Sequence, residues 1–189
     1  MNALKCVVVA VAAVAAALPA NAQLAVNSGE QFVTAIAEGD GGQALKLLQD
    51  RPNLVNARDP KGRTALVAAI KNRDRQWIGH LLQKGADPDL PGENGETPLL
   101  AAARVGLADA VGWLISVGAK VNEGNRMGET PLIVAVQRRQ VQIVRMLLEA
   151  GADPDKADSA QGYSARDYAR RDSRTPELLR IIEAKRPKP

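Results

Sequence analysis

The chain has 189 residues with 25 basic and 21 acidic side chains, a net charge of +4, one cysteine and one histidine. A mild positive balance without dense Lys/Arg clusters and interleaved aromatics gives no case for nucleic acid. One histidine and one cysteine would leave a zinc site to carboxylates almost alone, and no such spacing occurs.

The N-terminus reads as a secretory signal peptide. Lys5 supplies the positive start, Cys6 to Leu18 is an apolar run of 13, and Ala20-Asn21-Ala22 is a small-residue cleavage site. A spanning helix needs about 20 apolar residues, so an anchor is the poorer reading. Cleavage is expected between Ala22 and Gln23, with delivery to the periplasm or full secretion. Removing 22 of 189 residues leaves 167, enough for one domain. Lys5 and Cys6 leave with the signal, so the balance becomes 24 basic against 21 acidic, a net of +3. The mature chain then has no cysteine, and its stability must come from packing without disulfides.

Residues 23–28 read as a linker, and from Gly29 onward a period governs the chain. "GRTALVAAIKNR" starts at Gly62, "GETPLLAAARVG" at Gly95 and "GETPLIVAVQRR" at Gly128, each step being 33 residues. A fainter copy, "GYSARDYARRDS", begins 34 residues later at Gly162. Within each unit, threonine at 64, 97 and 130 can cap a helix, and Pro98 and Pro131 suit the first helical position. Small residues follow, so the first helix can sit close to its neighbours. A second apolar run comes next at helical spacing: Trp77, Ile78, Leu81 and Leu82, then Val111, Trp113, Leu114 and Ile115, then Ile143, Val144, Met146, Leu147 and Leu148. Gly85, Gly118 and Gly151 stop it. A single helix–turn–helix unit cannot bury its own apolar face, so the units must stack.

These phrases resemble the ankyrin repeat family, whose 33-residue period and T-P-L-H-x-A signature match TALVAA at Thr64, TPLLAA at Thr97 and TPLIVA at Thr130. The resemblance implies an all-α solenoid over 29–184, with an N-terminal cap at 29–61, units at 62–94, 95–127 and 128–161, and a C-terminal cap at 162–184. Residues 185–189 form a basic tail in which Lys185, Arg186 and Lys188 read as a solvated terminus. Two departures stand out. The signature histidine is replaced by Val67, Leu100 and Ile133. The glycine after the first helix, kept at Gly39 and Gly106, becomes Arg73 and Arg139, each costing on the order of 1 kcal/mol if left-handed.

No chemistry is legible. His80 aligns with Trp113 and Met146 and is expected to be a packing residue, as are Trp77 and Trp113. Asp87, Asp89, Asp153 and Asp155 lack the calcium-loop spacing and are expected to pin loop backbone. No serine–histidine pairing or phosphate loop is present. No cofactor or metal is expected. The resemblance implies instead a concave binding surface of loop tips and first helices. Alignment places there Arg58, Pro60, Lys61, Arg63, Lys71 and Asn72; then Pro91, Glu93, Asn94, Glu96, Arg104 and Val105; then Gly124, Arg126, Met127, Glu129, Gln137 and Arg138. Positive charge gathered there would suit an acidic protein partner. The expectation is a monomeric, non-enzymatic binding module. An inhibitor or protective factor for a periplasmic enzyme is the alternative, and a small hydrolase on the same scaffold is a third reading.

Overall fold

Ten α-helices follow one another in pairs through the computed structural model, which describes residues 20–184 and their side chains from Ser28 onward. The expected signal segment up to residue 19 and the tail at 185–189 lie outside the described residues. The pairs are α1 (Ala20–Glu38) with α2 (Gly41–Asp50), α3 (Ala65–Lys71) with α4 (Arg75–Gln83), and α5 (Pro98–Val105) with α6 (Ala108–Ser116). They continue with α7 (Pro131–Gln137) and α8 (Val141–Glu149), then α9 (Ala165–Arg171) and α10 (Pro176–Ala184). Each expected unit holds one pair. One boundary differs: α1 runs through the stretch read as a linker at 23–28. That stretch, QLAVNS, has no proline or glycine to break a helix.

Capping chemistry sets the starts. The hydroxyls of Thr64, Thr97 and Thr130 accept the backbone N–H of Val67, Leu100 and Ile133 at 3.4, 3.3 and 3.2 Å. Ser164 does the same for α9 and closes a capping box with Asp167. Second helices end at Gly85, Gly118 and Gly151, with φ of 83°, 91° and 89°. Arg73 and Arg139 do adopt the left-handed conformation, at φ 58° and 56°. Each draws compensation from a neighbouring unit: Arg73 donates to the Val105 carbonyl, and Arg139 pairs with Asp172 at 2.8 Å.

Helices α1, α3, α5, α7 and α9 pack in sequence as an inner row, while α4, α6, α8 and α10 form the outer row that α2 begins. The inner row is nearly buried along α3, α5 and α7, where Ile70, Leu99, Leu100, Leu132 and Ile133 are at most 1% exposed. Ile78, Leu81, Leu114, Leu147, Leu178 and Ile182 supply the outer row's share of the core. Burial of each such side chain contributes about 1.5–3 kcal/mol. Trp77 packs edge-on against Phe32 and His80. Trp113 departs from expectation: it is 37% exposed and borders a groove between α4 and α6 that Gly79, Leu82, Gln83, Ser116 and Val117 also line.

Candidate protein-binding face

Between units the chain forms a tight hairpin before each inner helix. Asp59 N–H donates to the Arg63 carbonyl, Gly92 to Glu96, Asn125 to Glu129 and Asp158 to Tyr163. Neighbouring hairpins touch through backbone as well, Arg126 N–H donating to the Asn94 carbonyl and Ser159 N–H to the Met127 carbonyl. The loop tips and the inner helices therefore make one continuous surface across the stack.

The charged residues aligned onto that surface fall into two sets. The first is a ladder. Lys71 Nζ stands 2.8 Å from Glu96 Oε2, Glu96 Oε1 accepts Arg104 Nε at 2.7 Å, and Arg104 Nη2 reaches Glu129 Oε2 at 2.9 Å. Asn125 Nδ2 closes the far end on Glu129 at 2.7 Å. The structure thus brings together Lys71, Glu96, Arg104 and Glu129 from three successive units. Burial alone would lower the Arg104 guanidinium, but the hydrogen bonds it donates to Glu129 and Glu96 outweigh that and hold it above its ordinary value. Glu96, aligned to an exposed position, is itself buried at 7% exposure. It is an internal counter-ion. Arg63 is similarly engaged, with Asp59 Oδ2 at 2.6 Å.

The second set is unpaired. Among the described residues the Arg58 guanidinium donates to the Gly62 carbonyl at 3.1 Å and meets no carboxylate. Lys61, Arg126 and Arg138 are exposed and have no carboxylate partner among the described residues. Glu93 and Asn94 are exposed at a hairpin tip, where Asn94 takes φ 60°. Met127, at the next tip, is 53% exposed. Asn72 is exposed, but its amide is committed to the Ile36 and Ala37 carbonyls of the preceding unit at 3.0 and 2.9 Å. The mainly basic face expected from alignment, with Glu93, Glu96 and Glu129 among its positions, is therefore a neutralised ladder with separate cations around it. Asp59 and Asn125 were missed in the sequence, although both stand four residues before the residue they hold.

Of the loop aspartates, Asp87, Asp89 and Asp153 act on backbone as expected, whereas Asp155 instead pairs its carboxylate with the Arg166 guanidinium at 2.6 and 3.0 Å. Asp87 accepts from Asp89 N–H and Asp153 from Asp155 N–H, each at 2.9 Å. His80 is half-buried in packing, and its Nε2 has no hydrogen-bond partner among the described residues. Among the described residues no helix is long and apolar enough to cross a membrane.

Stacked helix pairs with a continuous hairpin-and-helix surface define a helical-repeat solenoid. The model for "Ankyrin repeats (3 copies)" matches residues 32–123 and 78–158, and the chain belongs to that family. No curated protein matches the chain. Ankyrin repeats generally mediate protein–protein interaction and are typically non-enzymatic.

Proposed function

We propose that the mature chain is an exported, non-enzymatic module that binds a protein partner through its hairpin tips and inner helices. The observation that carries this reading is the division of charge on that surface. The ladder neutralises Lys71 and Arg104, leaving Arg58, Lys61, Arg126 and Arg138 free against the single unpaired acid Glu93 among the aligned positions. A residual positive potential favours an acidic partner and speeds encounter, with an effect that fades as salt rises. Export rests on Lys5, the apolar run to Leu18 and the Ala20-Asn21-Ala22 site.

Affinity capture from the compartment of origin, followed by binding measurements on the recovered partner, tests the reading. Reversal of Lys61, Arg126 and Arg138 to glutamate is expected to abolish most binding at low salt without changing the melting temperature. Arg180→Glu, on outer helix α10, is the control. Equal losses from both variants, or no loss from either, would reject this face. Intact mass of the exported chain tests the start at Gln23.

A further inference from the structure

The outer row repeats as closely as the inner one. Its first four helices are preceded by Asp40, Asp74, Leu107 and Gln140, at steps of 34, 33 and 33 residues. Counted from those caps, Leu45, Gly79, Gly112 and Arg145 share one position, and His80, Trp113 and Met146 share the next. Each junction between neighbouring outer helices therefore offers the same groove, but the four junctions are finished differently. Between α6 and α8 the groove is filled: a Cβ on Gly112 would stand 3.3 Å from Met146 Cε. Between α8 and α10 it is bridged, Arg145 Nη2 meeting Glu177 Oε1 at 2.7 Å. Between α2 and α4 it is open, with about 330 Å³ lined by Leu45, Leu48, Gln49, Pro52, His80 and Lys84. Between α4 and α6 it is open again, with about 450 Å³ lined by the equivalent Gly79, Leu82, Gln83, Trp113 and Val117, joined by Ser116.

The two open grooves flank α4, and the crest between them lacks a side chain. Gly79 is the central residue of that helix. Glycine is among the poorest helix formers, and the fold makes no demand for it here. A Cβ on Gly79 would meet nothing within 4 Å, and its φ is not left-handed. The surface around it is apolar. Of the four large apolar side chains exposed among the described residues, three line these grooves: Leu45, Trp113 and Val117, at 41%, 37% and 49%. Exposed apolar side chains gathered in this way mark an interaction surface. Gln49, Gln83 and Ser116 make an uncharged rim, broken only by Lys84 and the half-buried His80. Lys84 is exposed at the C-terminal end of α4 and has no carboxylate partner among the described residues.

We propose that the two grooves and the gap at Gly79 form a second docking surface, on the outer row, for an amphipathic helix of a partner protein. The helix crosses α4 at Gly79, where the absent side chain permits close approach. Its apolar side chains enter both grooves, and one of its carboxylates meets Lys84. Two physical matches select this occupant. Packed helices stand roughly 8–10 Å apart, so grooves on either side of α4 repeat at about that interval. Residues seven apart on one face of a helix are displaced about 10 Å along its axis, the spacing of helix-in-groove anchors. Charge supplies the second match: neither groove is lined by a carboxylate, so Lys84 calls for an acid that a second copy of this surface would not bring. The interface goes beyond the hairpin-face reading and uses none of its residues.

The test is fluorescence anisotropy of a labelled, tryptophan-free peptide of about 20 residues, titrated with the mature chain at physiological salt. The peptide carries leucines at heptad spacing on one face and glutamates beside them; serines replace the leucines in its control. Gly79→Leu fills open space, so its melting temperature is expected to stay level or rise, while binding weakens at least about tenfold. Val117→Gln should weaken binding about fivefold and Lys84→Gln about threefold. Arg180→Gln, on α10 and outside both surfaces, should change it less than about twofold, and the serine peptide should not bind. Bound peptide should also move tryptophan emission to the blue as Trp113 leaves water. Failure of the parent to bind the leucine peptide, or binding that survives Gly79→Leu and Val117→Gln, overturns the docking surface. The hairpin-face reading is untouched by either result, because reversal of Lys61, Arg126 and Arg138 tests it separately. A marked fall in the melting temperature of Gly79→Leu overturns the open crest on which the proposal rests. A dimer of the parent in sedimentation that Gly79→Leu dissolves would assign the grooves to a second copy and overturn it as well. So would Gly79-dependent binding to phosphatidylglycerol–phosphatidylcholine vesicles without peptide binding.

Discussion

Asn56 Oδ1 accepts the backbone N–H of Asp87, one unit downstream, at 2.8 Å. The contact repeats at the period of the chain: Asp89 Oδ1 takes the Lys120 N–H at 2.8 Å and Asn122 Oδ1 the Asp153 N–H at 2.7 Å. The two asparagines also donate their amides onward, Asn56 to the Gly85 carbonyl and Asn122 to the Gly151 carbonyl, at 3.4 and 3.3 Å. Each link therefore ties one loop to the helix end of the next unit. Asn122→Ala is expected to cost about 0.5–1.5 kcal/mol, the usual worth of such a bond. Asn122→Asp keeps the acceptor and should cost less. Urea denaturation ranks the two, and an aspartate variant weaker than the alanine one would contradict the role of the acceptor.

Core contacts between units should dominate stability. Leu114 is fully buried in α6, and Leu114→Ala is expected to cost about 2–5 kcal/mol. Glu123 only joins an exposed pair with Lys120 at 3.2 Å, so Glu123→Ala should cost under about 0.5 kcal/mol. Equal, small losses in denaturant would place Leu114 outside the core.

The ladder should be unequal along its length. Glu96 is buried and receives two cations, so Glu96→Ala is expected to cost about 1.5–3 kcal/mol. Lys71 is 45% exposed at its side chain, and Lys71→Ala should cost under about 1 kcal/mol. A thermal melt that orders the variants the other way would show that Lys71, not Glu96, organises the ladder.

Acid should loosen the array at two ion pairs. The side-chain hydrogen bond from Arg166 holds the Asp155 carboxyl below its ordinary value of 3.8, against burial. Burial pushes Asp59 up, but the side-chain and backbone donors of Arg63 outweigh it and leave that carboxyl lowered too. A folded value below the unfolded one gives stability that is present above the unfolded pKa and is lost as pH falls through the folded pKa. Denaturation midpoints should therefore hold at mildly acidic pH and drop below about pH 4. Asp59→Asn and Asp155→Asn should each flatten that acid limb; an unchanged slope would remove the two pairs from the account.

What the sequence announced was whatever repeats in one dimension. The period, the threonine caps, the apolar faces and the left-handed Arg73 and Arg139 all follow from residues near one another in the chain. The ladder was hidden because Lys71 and Glu96 meet only across a unit boundary, 25 positions apart. Alignment placed their backbones on one surface but could not say that Glu96 turns inward. Trp113 was illegible for a related reason: it borders a groove shared with Gly79, Leu82 and Gln83 of the preceding outer helix, which the α6 pattern does not encode. Arg171 lies over the Tyr163 ring, its guanidinium carbon 3.7 Å from the centroid, a contact that needed the ring geometry to be seen.

The inter-unit contacts have a consequence for chain length. Lys71 pairs with Glu96, and the residue one period beyond Glu96 is Glu129; Asp89 grips the Lys120 amide, and one period beyond that is Asp153. Excision of residues 95–127 would present Lys71 with a glutamate at the same place, and Asp89 with the amide that Asn122 now holds. The new neighbours would arrive already complementary, so the protein has the grammar of a text from which one clause can be cut and the sentence still parses.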